Sequence, residues 1–551
     1  MRRILLVDDD PDQLEIRKLI IHRAGHRVAT AANALDALTV FDAGRYDTVI
    51  LDLHLPTPEE GLSLIRALRQ RSETVRLFVL SGWPADIERQ PERNMVQEVL
   101  AKPVKSAGLL KKLAQFACLA LALTSLPVQA APPAPAAPPA AQATLELRAP
   151  REVVADLELS APSSQWNRKG REGAYARVLV NGKLAAHLPV FLGAQPLTQP
   201  ILLGHLPAGK HQITVERDPR TPNGIELKTG PIKVRTFAPG DPEHQMMAHA
   251  PILFARRDDL LFSDVPLLAY CERTRDRSTG RTTLEYTIIF SNEDGGTSTR
   301  ALMARWGRTT DIEYVYRVTF DSAGQRLSGI IQTRSHADVE FAGEREGDHP
   351  LLGVVTENNM VAPEGRSAIR WAPAPVPADL ANSSRELVMD QAPWTYRVAA
   401  EELEREGKLR AFGAIDGQNI SDPRHYLTFE ARILSRDARI SPAVRLRTGP
   451  WRSAHLGRPD YAVERPGWAR MSIELPPGTQ AAGIAELGFT CLTEPPNSRK
   501  PAPLAGTCTV EAIGAVFLLN PDYTPGPSLW QRPLDAPVTL ESGQLVSLPW
   551  K

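Results

Sequence analysis

Four apolar runs in the first hundred residues each lead into a polar side chain, and this pattern constrains the fold more than any other feature. Asp8 and Asp9 follow the run from Arg3 to Val7, Asp52 follows Thr48 to Leu51, Ser81 follows Leu77 to Leu80, and Lys102-Pro103 follows a fourth. Runs that are apolar throughout, rather than alternating, belong to strands covered on both faces. Helical signals lie between them. Pro11-Asp12 opens a segment with Leu14, Leu19 and Ile20 facing inward and Gly25 placed to stop it. A second segment runs near Ala34 to Phe41, and a third spans Gly61 to Arg69. This strand and helix alternation predicts a doubly wound parallel α/β sheet.

Ligands of such sheets sit beyond the carboxyl ends of the strands, where Asp8, Asp9, Asp52, Ser81 and Lys102 all fall. Clustered carboxylates repel one another unless a cation joins them, and a hard oxygen site favours Mg²⁺. With its charge offset, Asp52 is suited to attack phosphorus. Lys102 is suited to neutralise one phosphoryl oxygen, and the Ser81 hydroxyl to donate to another. No Gly-rich phosphate loop is present, which argues against a nucleotide site. The competing reading is an ordinary Rossmann-like domain with acids at its rim.

Residues 1–117 resemble the receiver domain of two-component response regulators, a flavodoxin-like fold with a five-stranded parallel sheet. The matching pieces are Val7-Asp8-Asp9-Asp10, Leu51-Asp52-Leu53-His54-Leu55-Pro56, Leu80-Ser81-Gly82 and Ala101-Lys102-Pro103. The resemblance implies that Asp52 is phosphorylated by a sensor histidine kinase. It implies Mg²⁺ held by Asp8, Asp9, Asp52 and the backbone carbonyl of His54. Ser81 would be the switch hydroxyl, and Lys102 the phosphate contact ahead of a cis-proline at Pro103. Two positions depart from the pattern. Val99 stands where receivers usually carry Tyr or Phe, and Pro91 falls in the stretch from Trp83 to Leu100 that should hold the fourth helix. A proline inside a helix costs about 3 kcal/mol, so a short or broken helix is expected there. The phosphate chemistry is intact by this reading, and the usual output face is altered.

The stretch from Leu113 to Leu126 is apolar and follows Lys111-Lys112. As a helix it would span about 21 Å, short of the roughly 30 Å hydrocarbon core. With Val128 and Ala130 behind it, residues 113–131 have the layout of a secretory signal peptide or a membrane anchor. The same residues also read as the last receiver helix, from Leu109 to Leu121. A signal peptide beginning past residue 100 raises the expectation of two joined genes or of two starts, with Val104 as a GTG start or Met95 as another. The alternative is an anchor that leaves the receiver in the cytoplasm and the remainder outside, the orientation that Lys111 and Lys112 favour. Residues 132–143 are rich in Ala and Pro and read as a semi-rigid linker.

Residues 144–551 consist of short β-like runs punctuated by Pro and Gly, the texture of all-β sandwich domains. Residues 144–238 predict an immunoglobulin-like sandwich, with a type I′ hairpin at Asn181-Gly182. Residues 239–375 predict a β-rich domain of unknown function, with polar motifs at 292–296 and 305–311. A strand from Ser335 to Phe341 would put His336, Asp338 and Glu340 on one face. That face could bind a metal or serve acid–base chemistry, but the reading favoured here is a solvent-facing polar stripe on a half-buried strand, with Ala337, Val339 and Phe341 on the other face. Residues 376–551 read as a last domain, of which about 420–520 weakly resembles galactose-binding-like jelly rolls through Gly467-Trp468, Ile473 to Gly478, and Ile484 with Leu487-Gly488-Phe489. That resemblance implies a glycan or other cell-envelope ligand, with Trp451 or Trp468 stacking on a sugar ring; the alternative placement for a Trp between strands is the core.

Lys and Arg number 64 and Asp and Glu also 64, so no electrostatic drive toward nucleic acid exists. No helix-turn-helix or basic recognition helix follows the receiver. Cys491 and Cys508 flank a Pro-rich loop and read either as a disulfide or as reduced core thiols, with Cys271 left single. Three readings follow. One is a receiver joined to an extracytoplasmic β-rich binding region. A second is a periplasmic enzyme or glycan-binding protein with a fused receiver. A third, which requires one uncleaved chain, treats the receiver as a phosphorylation-controlled interaction module with an anchored sensor outside.

Overall fold

The computed structural model describes residues 3–101, 140–495 and 506–548, apart from 10–13, 15, 16, 19, 23, 45, 54, 56, 57, 73, 82–86, 88, 89, 259, 294, 296 and 415–418. The chain forms two compact units, Met1–Pro135 and Ala136–Lys551.

The first unit is built on an all-parallel sheet. Strands β1 (Arg3–Val7), β2 (Arg27–Ala31), β3 (Thr48–Asp52), β4 (Arg76–Ser81) and β5 (Glu98–Ala101) lie in the order β2-β1-β3-β4-β5. Successive side chains go to opposite faces. Leu5, Val7, Val49, Leu51, Leu77 and Val79 enter one core, while Ile4, Leu6, Ile50, Phe78 and Leu80 enter the other. Burial on both faces is why the runs are apolar without alternation. Helix α1 (Ala34–Ala43) starts at Asn33, whose Oδ1 accepts from the Asp36 amide at 2.8 Å. Helix α2 (Pro58–Arg71) lays Leu64, Ile65 and Leu68 on the first of these cores. Gly61 permits that contact, because a Cβ there would stand 2.0 Å from the Leu53 carbonyl oxygen. Leu14, Arg17, Lys18 and residues 20–22 are helical, with Ile21 in the second core. Pro91 opens a 3-10 turn, Pro91–Met95, just ahead of β5. The ring needs no amide hydrogen bond at that first position.

In the second unit, residues 141–237 form two four-stranded sheets. At the Asn181-Gly182 turn φ is 50° and 76°, the pair of left-handed conformations that a type I′ hairpin requires. The strand Ala141–Leu147 starts inside the expected linker 132–143, pairing antiparallel with Gly209–Arg217. Ladder bonds come from the backbone, so the Ala and Gln side chains gave no strand signal.

Residues 239–375 are not separate from what precedes them. A six-stranded sheet runs from Asp338–Glu340 through Arg326–Gln332, Asp311–Phe320, Thr282–Phe290 and Pro266–Arg275 to Val376–Ala378, beyond the boundary expected at 375. One hydrophobic core includes Leu147, Tyr175, Tyr286, Trp371 and Val398. Sheets far apart in sequence close their apolar faces on each other, which periodicity inside one segment does not report.

Residues 426–548 form two further four-stranded antiparallel sheets around their own core. One is ordered Gly467–Glu474, Tyr426–Arg436, Thr507–Leu518, Val538–Glu541. The other is ordered Trp451–Ser453, Ala438–Leu446, Ile484–Thr493, Leu545–Leu548. Cys491 and Cys508 lie on strands of different sheets and form a disulfide, with Cα atoms 5.8 Å apart. Cys271 is a buried free thiol. The chain is therefore multidomain, a parallel α/β unit followed by several largely antiparallel β-sheets. Residues 113–131 lie outside the described residues. Among the described residues no helix is long and apolar enough to cross a membrane.

Candidate functional site

Because β3 lies between β1 and β4, the carboxyl ends of these three strands meet at one edge. Asp8 follows β1, Asp52 ends β3 and Ser81 ends β4. Two backbone bonds continue past the strands: the Asp8 amide donates to Ala31 O at 3.2 Å and the Leu53 amide to Leu80 O at 3.0 Å. They hold the acid-bearing backbone in register. Carboxylate oxygens of Asp8, Asp9 and Asp52 all lie within 4.8 Å of one another. Asp8 and Ser81 are fully buried, Asp52 nearly so, and Asp9 is exposed. Negative charges this close, out of water, need a counter-charge.

One is present. The Arg17 guanidinium forms an ion pair with Asp8, donating from Nη1 to Oδ2, and its side chain is only 12% exposed. Sequence reasoning passed over Arg17, nine residues beyond Asp8 on a helical stretch. The available signal was a basic residue set among the inward-facing Leu14, Ile20 and Ile21. His54, expected to ligate metal through its carbonyl, and Lys102 with Pro103, expected at the phosphate, lie outside the described residues.

In the second unit the His-x-Asp-x-Glu face does not form. The strand is only Asp338–Glu340, and His336 sits in the preceding turn with φ 56°, its amide donating to Thr333 O at 2.8 Å. The polar run from Thr333 to Ala337 closes a hairpin instead of continuing a strand. Asp338 is ion-paired to Arg317 at 3.0 Å, and Val339 is exposed. Both Trp451 and Trp468 are half-buried.

The polar motifs at 292–296 and 305–311 supply residues to one buried polar centre. Burial, together with the Glu313 and Glu293 carboxylates, pushes Asp311 well above the usual carboxylate range. Burial pushes Glu293 up to about 7 against the pull of the Arg308 guanidinium. Asn359 Nδ2 donates to Asp311 Oδ2 at 3.0 Å, and Arg308 Nε donates to Glu386 at 2.8 Å.

Among known proteins, residues 4–114 match the family described as the response regulator receiver domain. PilH of Pseudomonas aeruginosa is 30% identical over 114 residues, covering 20% of this chain and 93% of PilH. The transcriptional regulatory protein PrrA of Mycobacterium tuberculosis is 37% identical over 80 residues, covering 14% of this chain, which spans only 34% of PrrA. Among solved structures, the response regulator TrrA of Thermotoga maritima in complex with Mg²⁺ and BeF is 28% identical. It covers 21% of this chain and 98% of TrrA, with a TM-score of 0.20. Through residues 4–114, the chain belongs to the response regulator receiver family.

Proposed function

We propose that this protein accepts a phosphoryl group on Asp52 from a sensor histidine kinase. We also propose that its receiver is joined, through residues 113–131, to an extracytoplasmic β-rich binding region. The observation that carries the first part is the convergence of Asp8, Asp9 and Asp52 within 4.8 Å at the edge where Ser81 also ends its strand. Three carboxylates so close form a hard oxygen donor set that fits Mg²⁺, and Asp8, Asp9 and Asp52 would hold it. When bound, the ion supplies positive charge against the phosphoryl oxygens. A carboxylate oxygen of Asp52 forms the new bond to phosphorus as the donor's P–N bond breaks, and the imidazole leaves with a proton. The Ser81 hydroxyl donates to one phosphoryl oxygen and Lys102 neutralises another. Before the metal binds, Arg17 holds Asp8 by its ion pair.

Incubation of the chain with acetyl phosphate and Mg²⁺, followed by phosphate-affinity electrophoresis, tests this part. A shifted band that disappears in Asp52→Asn is expected. An equal shift in Asp52→Asn would place the phosphate elsewhere and end the proposal.

The Cys491–Cys508 disulfide supports the second part, because such bonds persist in oxidising compartments. The basic pair Lys111-Lys112 ahead of an apolar segment supports it as well. Tags at Met1 and Lys551, followed through cytoplasmic, membrane and periplasmic fractions, provide the test. Both tags on one membrane band mean an anchored chain. Separate cytoplasmic and periplasmic bands mean two products, with a receiver uncoupled from the rest. A carboxyl-terminal tag confined to the cytoplasm overturns the extracytoplasmic reading.

A further inference from the structure

We propose that the strand Ala141–Leu147 pairs with the same strand of a second copy of this chain, about a two-fold axis at Thr144. This goes beyond phosphoryl transfer and holds whichever compartment the second unit occupies. Ala141–Leu147 ends a four-stranded sheet, bonded to Gly209–Arg217 on one side only among the described residues. Its other side presents a row of backbone donors and acceptors, a template for a further strand.

The other terminal strands of the second unit are each covered, charged or short. Arg370 Nε donates to Ala185 O of Lys183–Pro189 at 2.7 Å. Leu197–Leu206 is bonded to residues 372–374, through Leu202 N to Ala372 O at 2.8 Å and Ala374 N to Pro200 O at 2.9 Å. Lys233–Phe237 carries Lys233 and Arg235. Gly467–Glu474 lies against the end of the helix Thr299–Trp306, where a Cβ on Gly307 would stand 2.9 Å from Arg470 and Ser472 side-chain atoms. The rest have four residues or fewer. Cover, charge and brevity are the usual guards against strand addition. Ala141–Leu147 has none of them: it runs seven residues without proline, and its only charge is Glu146.

The strand is complementary to its own reversal, which points to a second copy as the occupant. Ala141, Ala143, Leu145 and Leu147 stand on the core side, and the first three are only half-buried. Antiparallel pairing about Thr144 sets Ala141 against Leu147 and Ala143 against Leu145, so the second copy completes their burial. A register shifted by one residue sets them against Gln142, Thr144 and Glu146 and turns one core away, while a shift by two shortens the ladder. The outer face agrees. Thr144 meets Thr144, and Glu146 meets Gln142, whose Oε1 accepts from Gln212 at 3.3 Å and whose amide N–H groups suit a carboxylate. No like charges stand opposite each other.

Sedimentation velocity of the full chain, across a wide concentration range at low ionic strength, tests the proposal. Wild type is expected to shift from monomer to dimer as concentration rises, since a seven-residue ladder is small beside the roughly 1,200–2,000 Å² of lasting interfaces. Thr144 is exposed, so Thr144→Lys and Thr144→Glu leave the core alone, and each sets like charges together at the axis. Each variant by itself should dimerise about tenfold or more weakly than wild type. Their equimolar mixture should recover the dimer, because Lys then meets Glu. Tm values check folding, and the mixture decides even where one variant is destabilised. A wild type that stays monomeric overturns the proposal, and that is also the result if other residues of the chain already cover this edge. Undiminished dimerisation of either variant overturns it as well, by placing the contact elsewhere, as in the receiver. So does a mixture that associates no better than its two components.

Discussion

Arg17 is ion-paired to Asp8 within the acidic edge of the receiver, a fixed cation on the carboxylate that would also ligate Mg²⁺. The two cations compete for one group. Removing one partner of a buried ion pair typically costs about 3–5 kcal/mol, so Arg17→Met should lower the receiver's Tm in EDTA. Saturating Mg²⁺ should then raise the Tm of the variant by more than it raises the wild-type value, since tighter binding stabilises by mass action. Calorimetry of the full chain with and without Mg²⁺ reads both effects. Equal Mg²⁺-induced shifts in the two proteins would show that Arg17 does not oppose the metal.

Gly61 sets how closely α2 approaches the residue after Asp52. Its missing Cβ would be 2.0 Å from Leu53 O, a backbone atom that cannot turn aside. Gly61→Ala therefore has to push the helix off β3, at a cost of about 2 kcal/mol by the usual scale of overpacking. The same displacement moves the backbone that carries Asp52, so phosphate uptake should fall together with the Tm. A variant that keeps the wild-type Tm would mean that α2 gives way without cost.

The receiver was legible because its parts are local. Each strand announces itself by an unbroken apolar run, and the site residues fall at the ends of those runs, so Asp8, Asp9 and Asp52 could be brought together from order alone. Arg17 was missed because its role depends on how a helix turns against the sheet. The second unit was harder for the same reason on a larger scale. Its Asn181-Gly182 turn is written in two residues and was readable. Its main core joins Leu147 to Val398, and that closure is not contained in any one segment. His336 shows the opposite error: an alternating pattern was extended through a turn whose left-handed backbone breaks it.

The Cys491–Cys508 bridge joins the two sheets of the last sandwich across a sequence separation of 17 residues. Closing a loop of that length restricts the unfolded chain by about 3 kcal/mol in the chain-entropy model. Replacing both cysteines with Ala should lower the midpoint of that sandwich's unfolding, and dithiothreitol should lower the wild-type midpoint while leaving the double variant unchanged. Equal sensitivity to reductant in both proteins would assign the effect to another group.

Glu293 makes the stability of the second unit depend on pH in an unusual direction. Burial raises its folded pKa to about 7 from 4.5, with Arg308 pulling the other way and Glu313 adding to the rise. Between these two values the folded state holds the proton more tightly than the unfolded state does. Stability is therefore fullest below about pH 4.5 for this group and is lost as pH rises through 7. Asp311 and Glu313 are raised by burial as well, and Asp311 by its acidic neighbours too, so they act with the same sign. The expected loss from pH 5 to pH 8 is on the order of 2 kcal/mol. Glu293→Gln, which carries no charge to bury, should flatten the profile and raise the denaturation midpoint at pH 8 above wild type. A variant whose stability falls as steeply as wild type over that range would show that Glu293 is not the group that titrates.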